Sequence, residues 1–246
     1  MSPADLDVGP DRATGDAEAT TVDHLERRTV LGVWGAGAFA AAVRGAAADL
    51  GVAVASSADR PQGATVVTVA GPGPSTAELR ALADAGLAVR PGPAAVSLTE
   101  PGTAAGVLAV AGLAVAPEAV ADDAAALVVV VVRSRRGWTA CYPAVETIGL
   151  DAARDLGAAG AAVATVAVVD AQVERRAEAV AVSIADGVDL AGTMAVELVL
   201  GAAGPAVRAV HLGVPEAVLV ALAGCATSPA ENHVRAVLDR PLGAVA

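Results

Sequence analysis

From residue 29 onward the chain alternates short apolar runs with longer stretches in which apolar positions recur at helical spacing. Residues 29–34 form an apolar run that ends at Gly35-Ala36-Gly37, and an alanine-rich helix is predicted over 39–50. Gly51 supplies a helix C-cap, and residues 52–55 and 64–70 read as the next two strands. Ser75 followed by Glu78 is a capping box, which predicts a helix over 76–85, with residues 87–89 as a fourth strand. Strands separated by helices imply a parallel sheet with helices on its faces.

After about residue 117 the rhythm changes. Residues 127–133, a turn at Gly137 and residues 138–142 predict a strand, a turn and a strand, with a further strand within 161–169. A helix over 171–185 carries Glu174, Arg175, Arg176 and Glu178 on its wet side. Residues 194–200 and 206–212 read as two strands around the turn 201–205, and residues 231–238 as a closing helix. Strands joined by turns as well as helices make this half α+β, with a mainly antiparallel sheet. Residues 1–28 are polar, acidic and without periodicity, and read as a disordered tail.

Composition narrows the function classes. Hydrophobic residues make up 55% of the 246 and aromatic residues 2%, so the core is built from small aliphatic side chains. A net charge of −11 argues against nucleic-acid binding. All 16 basic residues are arginine, so the mobile lysine ammonium common at nucleotide phosphates is missing. Cys141 and Cys225 stand alone in apolar surroundings and read as reduced, buried thiols. The longest apolar run, 127–132, is too short to span a bilayer, and no secretory signal is apparent. These features imply a cytoplasmic protein with no membrane association.

Few residues suggest chemistry. The run Gly35-Ala36-Gly37-Ala38-Phe39-Ala40 follows a strand and opens a helix, where glycines let an anion approach the backbone. It serves either a packing turn, a phosphate, or a dinucleotide. The dinucleotide reading wants an acid near the end of the second strand, and Asp59 lies beyond it, in the loop. Glu146 reads as a strand-edge glutamate facing water or as a polar site residue. His211 has no acid or serine at a telling spacing, and a solvated or helix-end role suffices for His233. Asp122-Asp123 reads as a turn or helix cap.

Several segments together carry a resemblance. Val89-Arg90-Pro91-Gly92-Pro93-Ala94-Ala95-Val96, Tyr142-Pro143-Ala144-Val145-Glu146-Thr147-Ile148, Gly192-Thr193-Met194-Ala195-Val196-Glu197-Leu198 and the run 227–238 resemble landmarks of the ATP-grasp enzyme family of 5-(carboxyamino)imidazole ribonucleotide synthases. The resemblance implies a Rossmann-like pre-ATP-grasp domain over 29–121. A reduced ATP-grasp C-terminal lobe over 122–246 would follow, without the small lobe that covers ATP. It implies that Gly35 and Gly37 face a ribonucleotide phosphate, with Ala38 where the family has glutamine. It implies that Glu197 matches a magnesium-binding glutamate, whose second carboxylate partner falls on Ala209. The basic residue that contacts ATP after the first domain falls within Thr99-Glu100-Pro101, and the family's polar catalytic run becomes the largely apolar 208–219.

The expectation is therefore a catalytically degenerate homologue with no cofactor, acting by binding a phosphorylated metabolite, a protein partner, or both. Its site residues are Gly35, Gly37 and Glu146, with Glu197 as the metal candidate. A homodimer or a pairing with an active paralogue follows from the resemblance. The alternatives are an active Mg-ATP-dependent ligase of purine biosynthesis and a small dinucleotide-binding protein. In the degenerate reading the old cleft is closed, with several of Val210, Leu212, Val214, Val218, Leu219, Val220 and Leu222 packed in the core or in a dimer interface.

Overall fold

The computed structural model describes residues 29–55, 63–71, 74–99, 108, 113, 115, 126–148, 163–202 and 204–245. The expectations for residues 1–28, Asp59, Glu100, Pro101, Asp122 and Asp123, and for the 121/122 boundary, lie outside these.

The first sheet is parallel, in the order β2 (Ala53–Val54), β1 (Val30–Trp34), β3 (Val66–Val69), β4 (Ala88–Arg90). Between its strands run α1 (Ala38–Asp49) and α2 (Thr76–Asp84). Ser75 caps α2 through the reciprocal bonds of a capping box with Glu78. A short helix, α3 (Pro93–Ser97), follows β4, with Pro93 at its first turn where a missing N–H costs nothing. This is the Rossmann-like half.

The second sheet is antiparallel in all its strand pairings, in the order β10 (Gly204–Leu212), β9 (Gly192–Gly201), β5 (Ala126–Arg133), β7 (Val145–Ile148), β8 (Val163–Val166). A short strand, β6 (Thr139–Cys141), pairs with the far end of β5. β6 and β7 both lie against β5, and Pro143 stands in the break between them, where a residue without an N–H cannot extend the ladder. The apolar pattern defines no strand range at β7, where only Glu146 is expected on a strand, and no helix at α5 (Glu216–Ala221).

Both faces of the second sheet are covered, which explains why 127–132 is a continuous apolar run rather than an alternating one. Leu127, Val129, Val131, Met194, Val196 and Leu198 pack with Ala177, Ala181 and Ile184 of α4 (Ala171–Gly187). On the other face Val128, Val130, Val132 and Ala195 share one core with Phe39 and Val43 of α1 and with Val234 and Val237 of α6 (Pro229–Val237). The two halves thus meet in a common hydrophobic core. Among the described residues no helix is long and apolar enough to cross a membrane.

Candidate functional site

The turn after β1 divides into a packed part and an open part. Gly35 has φ +140°, and a Cβ there would stand 2.5 Å from the Ala70 carbonyl oxygen at the end of β3. Gly35 is therefore needed for close approach of two strand ends. Arg44 of α1 reaches back to hold this end, its Nη2 donating to the carbonyls of Val33 at 3.0 Å and Gly35 at 3.1 Å. Gly37 differs. It is the N-cap of α1, has φ +89°, makes no side-chain cap, and a Cβ there would meet nothing within 4 Å. Ala36 and Gly37 are exposed. The first turn of a helix has N–H groups without intrahelical acceptors, and its dipole end favours an anion.

The end of β10 comes to the same place. Gly213 has φ +86°, and a Cβ there would strike the Phe39 ring and lie 3.3 Å from the Gly71 amide nitrogen. The sheet of the second half thus ends against the glycine turn of the first.

Glu197 lies in the middle of β9 and is fully buried. Its Oε2 is 3.3 Å from His211 Nε2 and its Oε1 is 3.6 Å from Arg208 Nε, both on β10. No acid stands at a telling spacing from His211 in the chain, but the structure supplies one. Glu197 lies 14 positions away in the chain and becomes a neighbour only through the antiparallel pairing of β9 with β10.

Glu146 sits on the opposite face of the sheet from Glu197. Register decides it: Glu146 pairs with Leu127 and Thr165, whereas Glu197 pairs with Val128, and successive residues of β5 face opposite ways. Glu146 is exposed, as expected, but on the interior strand β7 rather than at an edge of the sheet. The two glutamates do not share a site.

His233 also departs from expectation. It is fully buried rather than solvated. Its Nδ1 accepts from the Thr193 N–H at 3.0 Å and its Nε2 lies 2.7 Å from Thr68 Oγ1. The Phe39 ring meets it edge-on at 5.4 Å. Burial pushes its pKa down to about 3, so the ring is neutral.

The run that replaces polar residues in the resembled family is largely packed. Val210, Leu212, Val214, Val218 and Leu222 are buried and Leu219 lies against the core, while Val220 is 69% exposed. Both cysteines are free and only partly buried, not fully. Burial, with a contribution from Glu178, raises the Cys141 thiol to about 11, so it is a protonated, unreactive group near neutrality.

Comparison with known proteins places this geometry. Residues 99–212 match the ATP-grasp family, described as an ATP-grasp domain. The chain is 34% identical over 122 residues to the N5-carboxyaminoimidazole ribonucleotide synthase of Corynebacterium ammoniagenes, an overlap of 48% of this chain and 28% of that protein. The overlap thus spans under a third of the curated relative. Among solved structures, the N5-carboxyaminoimidazole ribonucleotide synthetase from Thermotoga maritima superposes with a TM-score of 0.72 at 17% identity, covering 89% of this chain and 78% of that one. The synthase from Aspergillus clavatus, in complex with ADP and 5-aminoimidazole ribonucleotide, gives 0.71 at 16% identity, covering 88% and 78%. At these identities the likeness to the solved structures is one of fold. Residues 99–212 are similar to the ATP-grasp domain, and the chain has the fold of N5-carboxyaminoimidazole ribonucleotide synthases.

Proposed function

We propose that this protein binds a phosphorylated metabolite on the scaffold of a purine-biosynthetic ATP-grasp synthase and does not carry out the ligase reaction. One observation carries the binding half: at Gly37 a glycine with φ +89° opens the uncapped N-terminus of α1 onto free space. Backbone N–H groups there hold a phosphate without a side chain. The loss of turnover is supported by the apolar packing of Val210, Leu212, Val214, Val218 and Leu222 where the resembled family presents polar groups. In this reading Gly35 shapes the turn and Gly37 faces the ligand. Residues 29–121 form the ligand-binding domain and 122–246 a reduced ATP-grasp lobe, in a cytoplasmic protein that pairs with itself or with an active paralogue.

Ribose 5-phosphate tests the proposal. A ligand that prefers the folded state raises the melting temperature by mass action. The shift should be present at millimolar ligand and absent in Gly37→Val, which melts lower than the wild type because valine is strained at φ +89° but should remain folded, since its side chain meets open space. No shift with wild-type protein sinks the binding claim.

A second reading is an active Mg-ATP-dependent ligase, supported by the ATP-grasp match and by the relative in Corynebacterium ammoniagenes. Release of phosphate from ATP that depends on both bicarbonate and 5-aminoimidazole ribonucleotide would establish it, and would overturn the non-catalytic half of the proposal. The dinucleotide reading makes a separate demand, saturable binding of NAD, and only the turn at Gly35–Gly37 supports it.

A further inference from the structure

The pairing of β9 with β10 contains an irregularity that changes the chemistry of Glu197. Val207 pairs with Leu198 and Ala209 pairs with Glu197, so Arg208 is the extra residue of a β-bulge. In a regular ladder each residue of β10 would face one residue of β9, and faces would alternate. A bulge sets two residues against one and re-aims the additional side chain. Here it brings the Arg208 guanidinium to the buried carboxylate, with Nε 3.6 Å from Oε1, while His211 Nε2 stands 3.3 Å from Oε2. The three side chains are 9%, 0% and 22% exposed for Arg208, Glu197 and His211.

A carboxylate taken out of water needs a counter-charge. The fold family implies that magnesium supplies it. Magnesium asks for near-octahedral oxygen coordination, usually with at least one carboxylate and several waters or phosphate oxygens. Both oxygens of Glu197 here face nitrogen groups. Ala209, the residue paired with Glu197, offers no ligand. Among the described residues no group of three or more His, Cys, Asp or Glu side chains is placed to hold a metal ion. The described residues do not fit the ion.

We infer that the Arg208 guanidinium, placed by the β-bulge, is a built-in counter-ion that takes the electrostatic place of a divalent cation at Glu197, making this part of the sheet metal-independent. An ionised carboxylate only accepts hydrogen bonds, so His211 presents its Nε2–H to Oε2 and completes the neutralisation. The inference concerns β9 and β10 and does not depend on the anion site at Gly37.

Manganese alone is the probe, because the free aqua ion gives an electron paramagnetic resonance signal that binding removes. Wild-type protein should leave that signal unchanged to millimolar metal. Saturable loss of signal that Glu197→Gln abolishes would overturn the inference. A second measurement uses melting temperatures. Arg208→Gln and Glu197→Gln should each lower the midpoint by several degrees, and the double variant should fall by less than the sum, as coupled partners do. Additive losses, or an Arg208→Gln protein as stable as wild type, would also overturn it. Should Arg208→Gln fail to fold, Arg208→Lys, which keeps the charge but loses the planar fork, replaces it in the cycle and should retain part of the stability.

Discussion

Thr68 of the first sheet and His233 of the last helix are joined by a 2.7 Å hydrogen bond that is wholly buried. The direction of the bond follows from the other side of the ring. Thr193 donates its backbone N–H to Nδ1, so Nδ1 carries no proton and the neutral ring holds its hydrogen on Nε2. His233 therefore donates to Thr68 Oγ1. One imidazole links β3, β9 and α6, three elements drawn from both halves of the chain. Gly192 makes room for it, since a Cβ there would stand 3.0 Å from the ring.

Thr68→Val keeps the shape of the side chain and removes the acceptor. The Nε2–H is then left buried without its partner, at a cost of about 1–3 kcal/mol. Denaturant titration should show a lower midpoint with an unchanged slope. Thr68→Ser, which keeps the hydroxyl, should lose less. A Thr68→Val protein as stable as wild type means that another group satisfies the ring.

The same histidine gives the protein an acid sensitivity of defined sign. Its pKa is about 3 in the folded state, against 6.5 for an ordinary histidine. Between those values the unfolded chain binds a proton that the folded chain refuses, so stability rises with pH across this window. The contribution is complete above about pH 6.5 and is lost progressively as pH falls toward 3, on the order of 5 kcal/mol over the full span. Unfolding free energies measured between pH 6.5 and 5, where most carboxylates remain ionised, should decrease as the pH is lowered in the wild type. In His233→Gln that slope should flatten. An equal slope in both proteins would assign it to other groups.

The strands and helices with strong local signals were legible in the sequence. Ser75 and Glu78 announced α2 because a capping box is a contact between near neighbours, and the structure contains it. The apolar run of β5 and the amphipathic α4 were equally plain. What escaped depends on partners far apart in the chain. The strand β7 was hidden by Pro143 and by its shortness, and it exists because β5 and β8 flank it. Glu146 and Glu197 look alike as strand glutamates, yet register sends them to opposite faces. Arg208 drew no attention because a bulge leaves no mark in the one-dimensional pattern. A solvated or helix-end role suffices for His233 in the sequence because α6 carries Glu231 and Arg235, which pair with each other on its wet side. No periodicity reveals that the neighbouring face turns into the joint core.

Asn232 holds the C-terminal segment by both ends of its amide. Its Oδ1 accepts from the Gly243 N–H at 2.7 Å, and its Nδ2 donates to the Gly243 carbonyl at 3.2 Å and to Tyr142 Oη at 2.8 Å. Tyr142 passes the chain on by donating to the Thr227 carbonyl at 2.9 Å. Asn232→Ala removes three bonds at once and should release residues 239–245 before the rest of the fold. Amide hydrogen exchange there should accelerate more than in β5 or β9, since local opening is separate from global unfolding. Tyr142→Phe leaves the Gly243 bonds intact, so its effect should be smaller. Uniform acceleration across the protein in Asn232→Ala would mean that the segment and the core open together.

The apolar run after β10 offers a sharper contrast within one short helix. Val218 and Val220 are two positions apart on α5, yet Val218 is fully buried and Val220 is 69% exposed. Val218 packs into the core shared by α1, α6 and the second sheet. An aspartate at 218 places an unpaired carboxylate there, which costs at least 3 kcal/mol and is enough to unfold a marginally stable domain. The same change at 220 meets water and should alter stability by no more than about 0.5 kcal/mol. Melting temperature and sedimentation together separate two ways in which Val220 can behave. If Val220→Asp melts like the wild type with the same mass, the helix surface is free. If it keeps its fold but halves its mass, Val220 lies in a subunit interface, and the apolar replacements in this run serve assembly as well as packing. If Val218→Asp folds normally, α5 is not anchored in the core, and the packed state of this run is wrong.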